Sequence, residues 1–291
     1  MNKIQVGFLI SYDYELLKNA IPQVYKESDT IFLAIDKDRK TWKGQDIVVS
    51  DSFFEWIKTY DVDSKIKIYE DVFSVPELTT MECEVRERKM LAEKMGIGNW
   101  LIQLDADEYF INFKRFTNYL KSKNHLLINP KQHPVQIQPF HVNLYKKVDN
   151  GYLYVSDSSK TVVATNYPNY LVGRKTAGKV IYFNALVLHE CLSRNREDLI
   201  TKLTNWGHND EVNLEAFMSK WDSVNETNYN KHQDFFFLNP KKWKHLDYIE
   251  GKTFKELFEN FMNQKEKGLY KSNFFIFKKN LGQYFKFLFK K

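Results

Sequence analysis

Apolar positions open the chain in two short continuous runs separated by a periodic segment. Residues 4–11 (Ile-Gln-Val-Gly-Phe-Leu-Ile-Ser) form a run of strand length. Between residues 14 and 25, Leu16, Leu17, Ala20, Ile21 and Val24 recur at the spacing that gathers side chains on one face of a helix. Residues 30–36 (Thr-Ile-Phe-Leu-Ala-Ile-Asp) are a second strand of buried type, and it ends in an acid. Strand, helix and strand in that order make a βαβ unit. Such a unit implies a parallel sheet with ligands at the carboxyl ends of its strands. Residues 53–59 and 65–69 continue the alternation with another helix and strand.

Residues 79–95 are rich in Glu, Arg, Lys, Met, Leu and Ala, a composition that favours helix, and Gly96 and Gly98 stop it. Residues 99–104 (Asn-Trp-Leu-Ile-Gln-Leu) follow as a strand and deliver Asp105, Asp107 and Glu108 to its end. Residues 126–187 alternate apolar runs with Pro, Asn, Asp and Gly, the pattern of strands and loops. Helical spacing returns at 196–206, at 254–261 and in the terminal segment. The simplest partition is an α/β domain over residues 1–240 and a basic helical tail over 241–291.

Composition narrows the class. With 43% hydrophobic and 27% charged residues and only 7 prolines in 291, the chain can bury a sizeable core, which argues against disorder. No run approaches the ~18 apolar residues of a membrane span. The apolar start lacks a small-residue cleavage site and enters a strand, so a cytoplasmic protein without a signal peptide is expected. Cys83 and Cys191 stand far apart and make neither a disulfide framework nor a zinc site. The net charge of +6 is uneven: residues 241–291 hold 13 lysines against 5 acids. The basic character therefore belongs to the tail.

Three carboxylates within four residues (Asp105, Asp107 and Glu108) repel one another at a strand end. A hard divalent cation, Mg²⁺ or Mn²⁺, relieves that repulsion and keeps coordination sites for substrate phosphates. The plainer alternative is a solvated acidic turn. The segment Arg86-Glu-Arg-Lys-Met-Leu-Ala-Glu-Lys-Met-Gly-Ile-Gly-Asn-Trp-Leu-Ile-Gln-Leu-Asp-Ala-Asp-Glu-Tyr-Phe110 resembles the central helix and strand of family 2-like glycosyltransferases with the GT-A fold. The opening βαβ unit with Asp36 at its second strand end is similar to that family as well. A later segment, from Leu188-His-Glu-Cys to Trp206-Gly-His208, resembles the family's strand, histidine and following helix.

The resemblance implies a GT-A (Rossmann-like) fold with a mixed, mainly parallel sheet flanked by helices. It also implies a nucleotide-sugar donor, a UDP-sugar, and a glycan or lipid-linked acceptor with inverting transfer. By the same resemblance, Asp105, Asp107 and His189 are the metal set and Asp36 contacts the nucleoside. Arg86, Arg88 and Lys89, or Lys175 and Lys179, are placed to grip phosphate, for which arginine is well suited. Glu190 and Asp157 are candidates for the acceptor's general base, although the Glu-Asp pair of many relatives is not evident. The plainer alternatives are a hydrogen-bonded His189, a turn acid at Asp36 and solvated basic residues elsewhere.

Other readings fit less well. Gly173-Arg-Lys-Thr-Ala-Gly-Lys179 looks like a phosphate loop but lacks Ser or Thr after the lysine and a helix behind it. A haloacid-dehalogenase-type phosphatase would place Thr or Val where Tyr109 stands. A non-catalytic sugar- or nucleic-acid-binding module would interleave its basic residues with aromatics through a sheet face. Here they collect in the tail, so no nucleic-acid partner is expected. In that tail Tyr270, Phe274, Phe277, Leu281, Tyr284 and Leu288 share one helical face, with Lys279, Lys286 and Lys290 opposite. Such a helix fits an anionic membrane surface, on the inner face of the plasma membrane, or else docks on the protein's own core.

Overall fold

The computed structural model describes residues 2–205, 213–236, 238–239, 242–264 and 268–288. The chain runs β1 (Ile4–Leu9), α1 (Leu17–Tyr25), β2 (Thr30–Asp36), α2 (Asp51–Tyr60), β3 (Ile66–Asp71), α3 (Thr80–Met95) and β4 (Trp100–Leu104). Next come β5 (Glu108–Phe110), α4 (Phe113–Ser122), β6 (Val135–Val148), β7 (Gly151–Val155), β8 (Ser159–Lys160) and β9 (Ala164–Thr165). β10 (Tyr170–Val172), β11 (Lys175–Thr176), β12 (Lys179–His189), α5 (Arg196–Asn205) and α6 (Leu214–Ser223) follow. β13 (Leu246–Glu250), α7 (Phe254–Asn263) and α8 (Asn273–Leu288) complete the fold, which is of mixed α/β class.

Two compact units form. One gathers Met1–Pro139, Thr161–Ala185 and Ser272–Lys291, and the other gathers Phe140–Lys160 and Leu186–Lys271. This division does not follow the boundary expected at 240/241. β13 pairs with β7 in the second unit, whereas α8 belongs to the first. The basic tail is therefore split between two bodies.

In the first unit β1 lies between β2 and β4, with β3 outside β2, and these four strands are parallel. β9 joins the far side of β4 in antiparallel sense. Every residue of β1, β2 and β4 is buried, as expected of strands covered on both faces. β3 has only half-buried and exposed positions, as an edge strand does. Helix α3 begins in a capping box: the Thr79 hydroxyl accepts from the Glu82 N–H, and the Glu82 carboxylate accepts from the Thr79 N–H. The helix then packs close on the sheet. A Cβ at Gly7 would lie 2.8 Å from Leu91 and 3.0 Å from Met95, so glycine in β1 is what lets α3 settle there.

The second unit is built on the antiparallel strands β13, β7 and β6. Its core includes Tyr145, Leu153, Leu199, Phe217, Trp221 and Phe235. The Lys146 ammonium donates to the carbonyls of Trp221 (2.7 Å) and Val224 (2.8 Å), and so satisfies the carboxyl end of α6.

The sequence pattern anticipated β1, β2, α3 and β4 to within two residues, but not α4 or α6. Trp206 and His208 lie outside the described residues. Both cysteines are buried and free of disulfides. Among the described residues no helix is long and apolar enough to cross a membrane.

Gly7→Val should lower stability by about 1–3 kcal/mol through overpacking against Leu91 and Met95. Thermal unfolding by circular dichroism measures this, and an unchanged melting temperature would show that α3 does not rest on β1 as described.

Candidate active site

β1 is flanked by β2 on one side and β4 on the other, so the connections leaving β1 and entering β4 pass to opposite sides. In open parallel sheets this change of direction opens a crevice outside the carboxyl ends of the two strands. The acidic cluster stands at that place. β4 ends at Leu104, which is in register with Phe8 near the end of β1, and Asp105 follows immediately. A tight turn then holds the acids. The Glu108 N–H donates to the Asp105 carbonyl (3.1 Å), and the Asp105 N–H donates back to the Glu108 carboxylate (3.0 Å).

Two arginines compensate the negative charge. Glu108 is 1% exposed, and Arg174 grips both of its oxygens, with Nη2 at 2.6 Å from Oε1 and Nη1 on Oε2. Nη1 of Arg174 also donates to the Gln103 carbonyl at 3.0 Å. Arg88, on α3, donates from Nε to Glu84 (2.9 Å) and from Nη2 to Asp105 Oδ1 (2.8 Å). Arg174 Nη2 stands 3.7 Å from the other Asp105 oxygen. Burial works against the charge on both guanidiniums. Asp105 with Glu84 outweighs it for Arg88, and Asp105 with Glu108 outweighs it for Arg174, so both pKa values lie above the ordinary value. Within this network three carboxylates face two guanidiniums. Asp105 is the acid that reaches solvent, at 38% exposed, while Asp107 is buried.

The other sequence candidates fall in different places. Asp36 is a loop clamp: one oxygen accepts the N–H groups of Asp38 and Lys40, the other those of Phe73 and Ser74. Four backbone donors fill its acceptor sites in this arrangement, which is the role of a turn acid. Arg86 donates to the Val72 carbonyl. Lys175 is exposed on β11, and the Lys179 ammonium sits 4.7 Å from the Tyr284 ring centre on α8. Arg88, anticipated either on a solvated face or on phosphate, is instead buried among carboxylates.

His189, Glu190 and Asp157 belong to the second unit. His189 Nδ1 is 2.9 Å from Asn143 Oδ1, and its ring lies 4.7 Å from that of His141. Asp157 is exposed just after β7. Glu190 is half-buried; burial first, then its charge, push Tyr152 up to about 12. Among the described residues no group of three or more His, Cys, Asp or Glu side chains stands together as a metal cage.

Two residues of the first unit went unread in the sequence. Arg174 lies beside Lys175 in a glycine-flanked turn, and nothing local marks it as the partner of Glu108. Glu87 carried a signal, because it is four residues from both Cys83 and Leu91 and so shares their inward face. It is buried and accepts a 2.6 Å hydrogen bond from the Trp42 indole. Burial pushes its carboxyl up to about 8, against the weaker opposing pull of Trp42 and Arg88.

No protein-family model matches the sequence, and no curated protein matches it. Among solved structures, the crystal structure of mannose-6-phosphate isomerase from Helicobacter pylori aligns with a TM-score of 0.32 and 13% identity. The alignment covers 53% of this chain and 56% of that one, little more than half of either. A likeness of that size carries no argument about chemistry.

Arg174→Met leaves Glu108 buried without its partner and should cost about 3–5 kcal/mol. Adding Glu108→Gln should recover part of that loss in denaturant unfolding. Glu87 gives a pH signature. Its folded pKa of about 8 lies above the 4.5 of a free carboxyl, so the stability it contributes is complete below 4.5 and lost as pH rises to about 8. The melting temperature of Glu87→Gln should therefore gain on the unsubstituted protein across that window and run parallel above it. A constant difference would mean that Glu87 ionises normally.

Proposed function

We propose that the crevice at the carboxyl ends of β1 and β4 binds a nucleotide-sugar and that the protein is a glycosyltransferase of GT-A type. The observation that carries this reading is the position of Asp105 and Asp107. They follow the strand on the far side of β1 from β2, where an open parallel sheet accepts a nucleotide. The resemblance of residues 86–110 to the helix and strand of family 2-like enzymes supports the same assignment.

The donor set suits a hard cation in kind: carboxylate oxygens, with Asp105 turned in part to solvent. Asp105 and Asp107 would hold Mn²⁺ or Mg²⁺, and the donor's phosphate oxygens would complete the coordination that the protein leaves open. A cation there supplies electrostatic stabilisation of the departing diphosphate without proton transfer. Arg88 and Arg174 act on the protein side. They fix the direction of Asp105 and Glu108 before substrate arrives. The side chain of Arg88 has one further nitrogen, Nη1, buried without a hydrogen-bond partner. The acceptor in this reading is a glycan or a lipid-linked glycan.

Isothermal titration with UDP and Mn²⁺ tests the proposal. The unsubstituted protein should release heat only when both are present, and Asp105→Asn and Asp107→Ala should lose at least tenfold in affinity, about 1.4 kcal/mol. Far-UV circular dichroism checks that the variants fold. Metal-independent heat, or equal heat from folded Asp107→Ala, would remove the basis for the reading.

A further inference from the structure

Helix α8 turns an aromatic face to solvent. Phe274, Phe277 and Phe285 are 72%, 62% and 48% exposed, with Leu281 and Tyr284 between them at 43% and 50%. Their spacing places all five on one strip of the helix. Contiguous exposed apolar patches of this kind mark interaction sites on soluble domains.

The flank of the helix next to Tyr284 is already occupied. The Asn280 amide accepts from the Tyr182 N–H (2.8 Å) and donates to the Tyr182 carbonyl (3.0 Å), so one side chain pairs with the backbone of β12. Ile276 and Gln283 are half-buried on that side. The helix thus docks on its own unit and keeps the aromatic strip outward.

Charge identifies what covers the strip. Residues 272–291 carry five lysines and no acid. Lys278 is exposed at the edge of the aromatic strip, and Lys286 is exposed on the face away from it. A second copy of the chain would bring like charges together, which opposes self-pairing. A surface with a negative headgroup layer over an apolar interior meets both demands. Aromatic rings settle at the boundary, and lysines reach the phosphates on their long stems.

We propose that α8 seats the protein on an anionic lipid surface, with Phe274, Phe277, Leu281, Tyr284 and Phe285 inserted at the headgroup boundary. This inference stands independently of the nucleotide-sugar reading.

Flotation of the full chain with vesicles tests it. Vesicles of phosphatidylcholine containing phosphatidylglycerol should carry the protein up the gradient, vesicles of phosphatidylcholine alone should not, and added salt should weaken the binding. Phe277→Ser with Phe285→Ser should abolish flotation while far-UV circular dichroism stays unchanged. Lys278→Gln should weaken binding about fivefold. Equal flotation with neutral vesicles, no flotation with anionic ones, or retained flotation of the folded serine variant overturns the proposal. So does a concentration-dependent dimer that the serine variant dissolves.

Discussion

The buried pairing of Arg174 with Glu108 governs the end of β4. A carboxylate that is almost wholly enclosed is tolerated only when a geometrically matched cation and further hydrogen bonds replace the water it has lost. Arg174 provides both oxygens of Glu108 with a donor and also reaches the Gln103 carbonyl. Glu108 in turn accepts the Asp105 N–H, so the direction of the solvent-facing acid follows from a charge pair one step behind it. Arg88 steadies Asp105 from α3, and α3 reaches the sheet because β1 has a glycine beneath Leu91. Packing of helix on strand and orientation of a carboxylate are therefore parts of one arrangement.

Much of this was legible in the sequence because the relevant signals are local. Continuous apolar runs mark β1, β2 and β4, and a helix-forming composition closed by the glycines after Met95 marks α3. The acids at the end of β4 needed only a strand before them. Residues whose role depends on distant partners were not legible. Arg174 is 66 residues from Glu108 in the chain, and no periodicity links them. The four donors of Asp36 come from two separate loops, so a clamp and a ligand-binding acid look alike in sequence. α4 escaped notice although it is strongly amphipathic, because Asn112, which caps it, follows the acidic cluster almost directly.

The tail shows how one pattern can hold two answers. A helical face rich in aromatics reads equally as a core-docking surface or as an outward one. What decides is a polar residue, Asn280, whose amide takes the place of a neighbouring strand against Tyr182. The apolar side is left outward because the polar side has a backbone to bind.

The Asp36 clamp has a dynamic corollary. Its carboxylate ties the segment after β2 to the segment after β3, and a backbone bond from the Lys37 N–H to the Asp71 carbonyl adds to the tie. Two loops joined through a single buried side chain cannot open one at a time. Amide hydrogen exchange at Asp38, Lys40, Phe73 and Ser74 should accordingly share one opening rate, with the rim of the sheet behaving as one plate and not as two flaps.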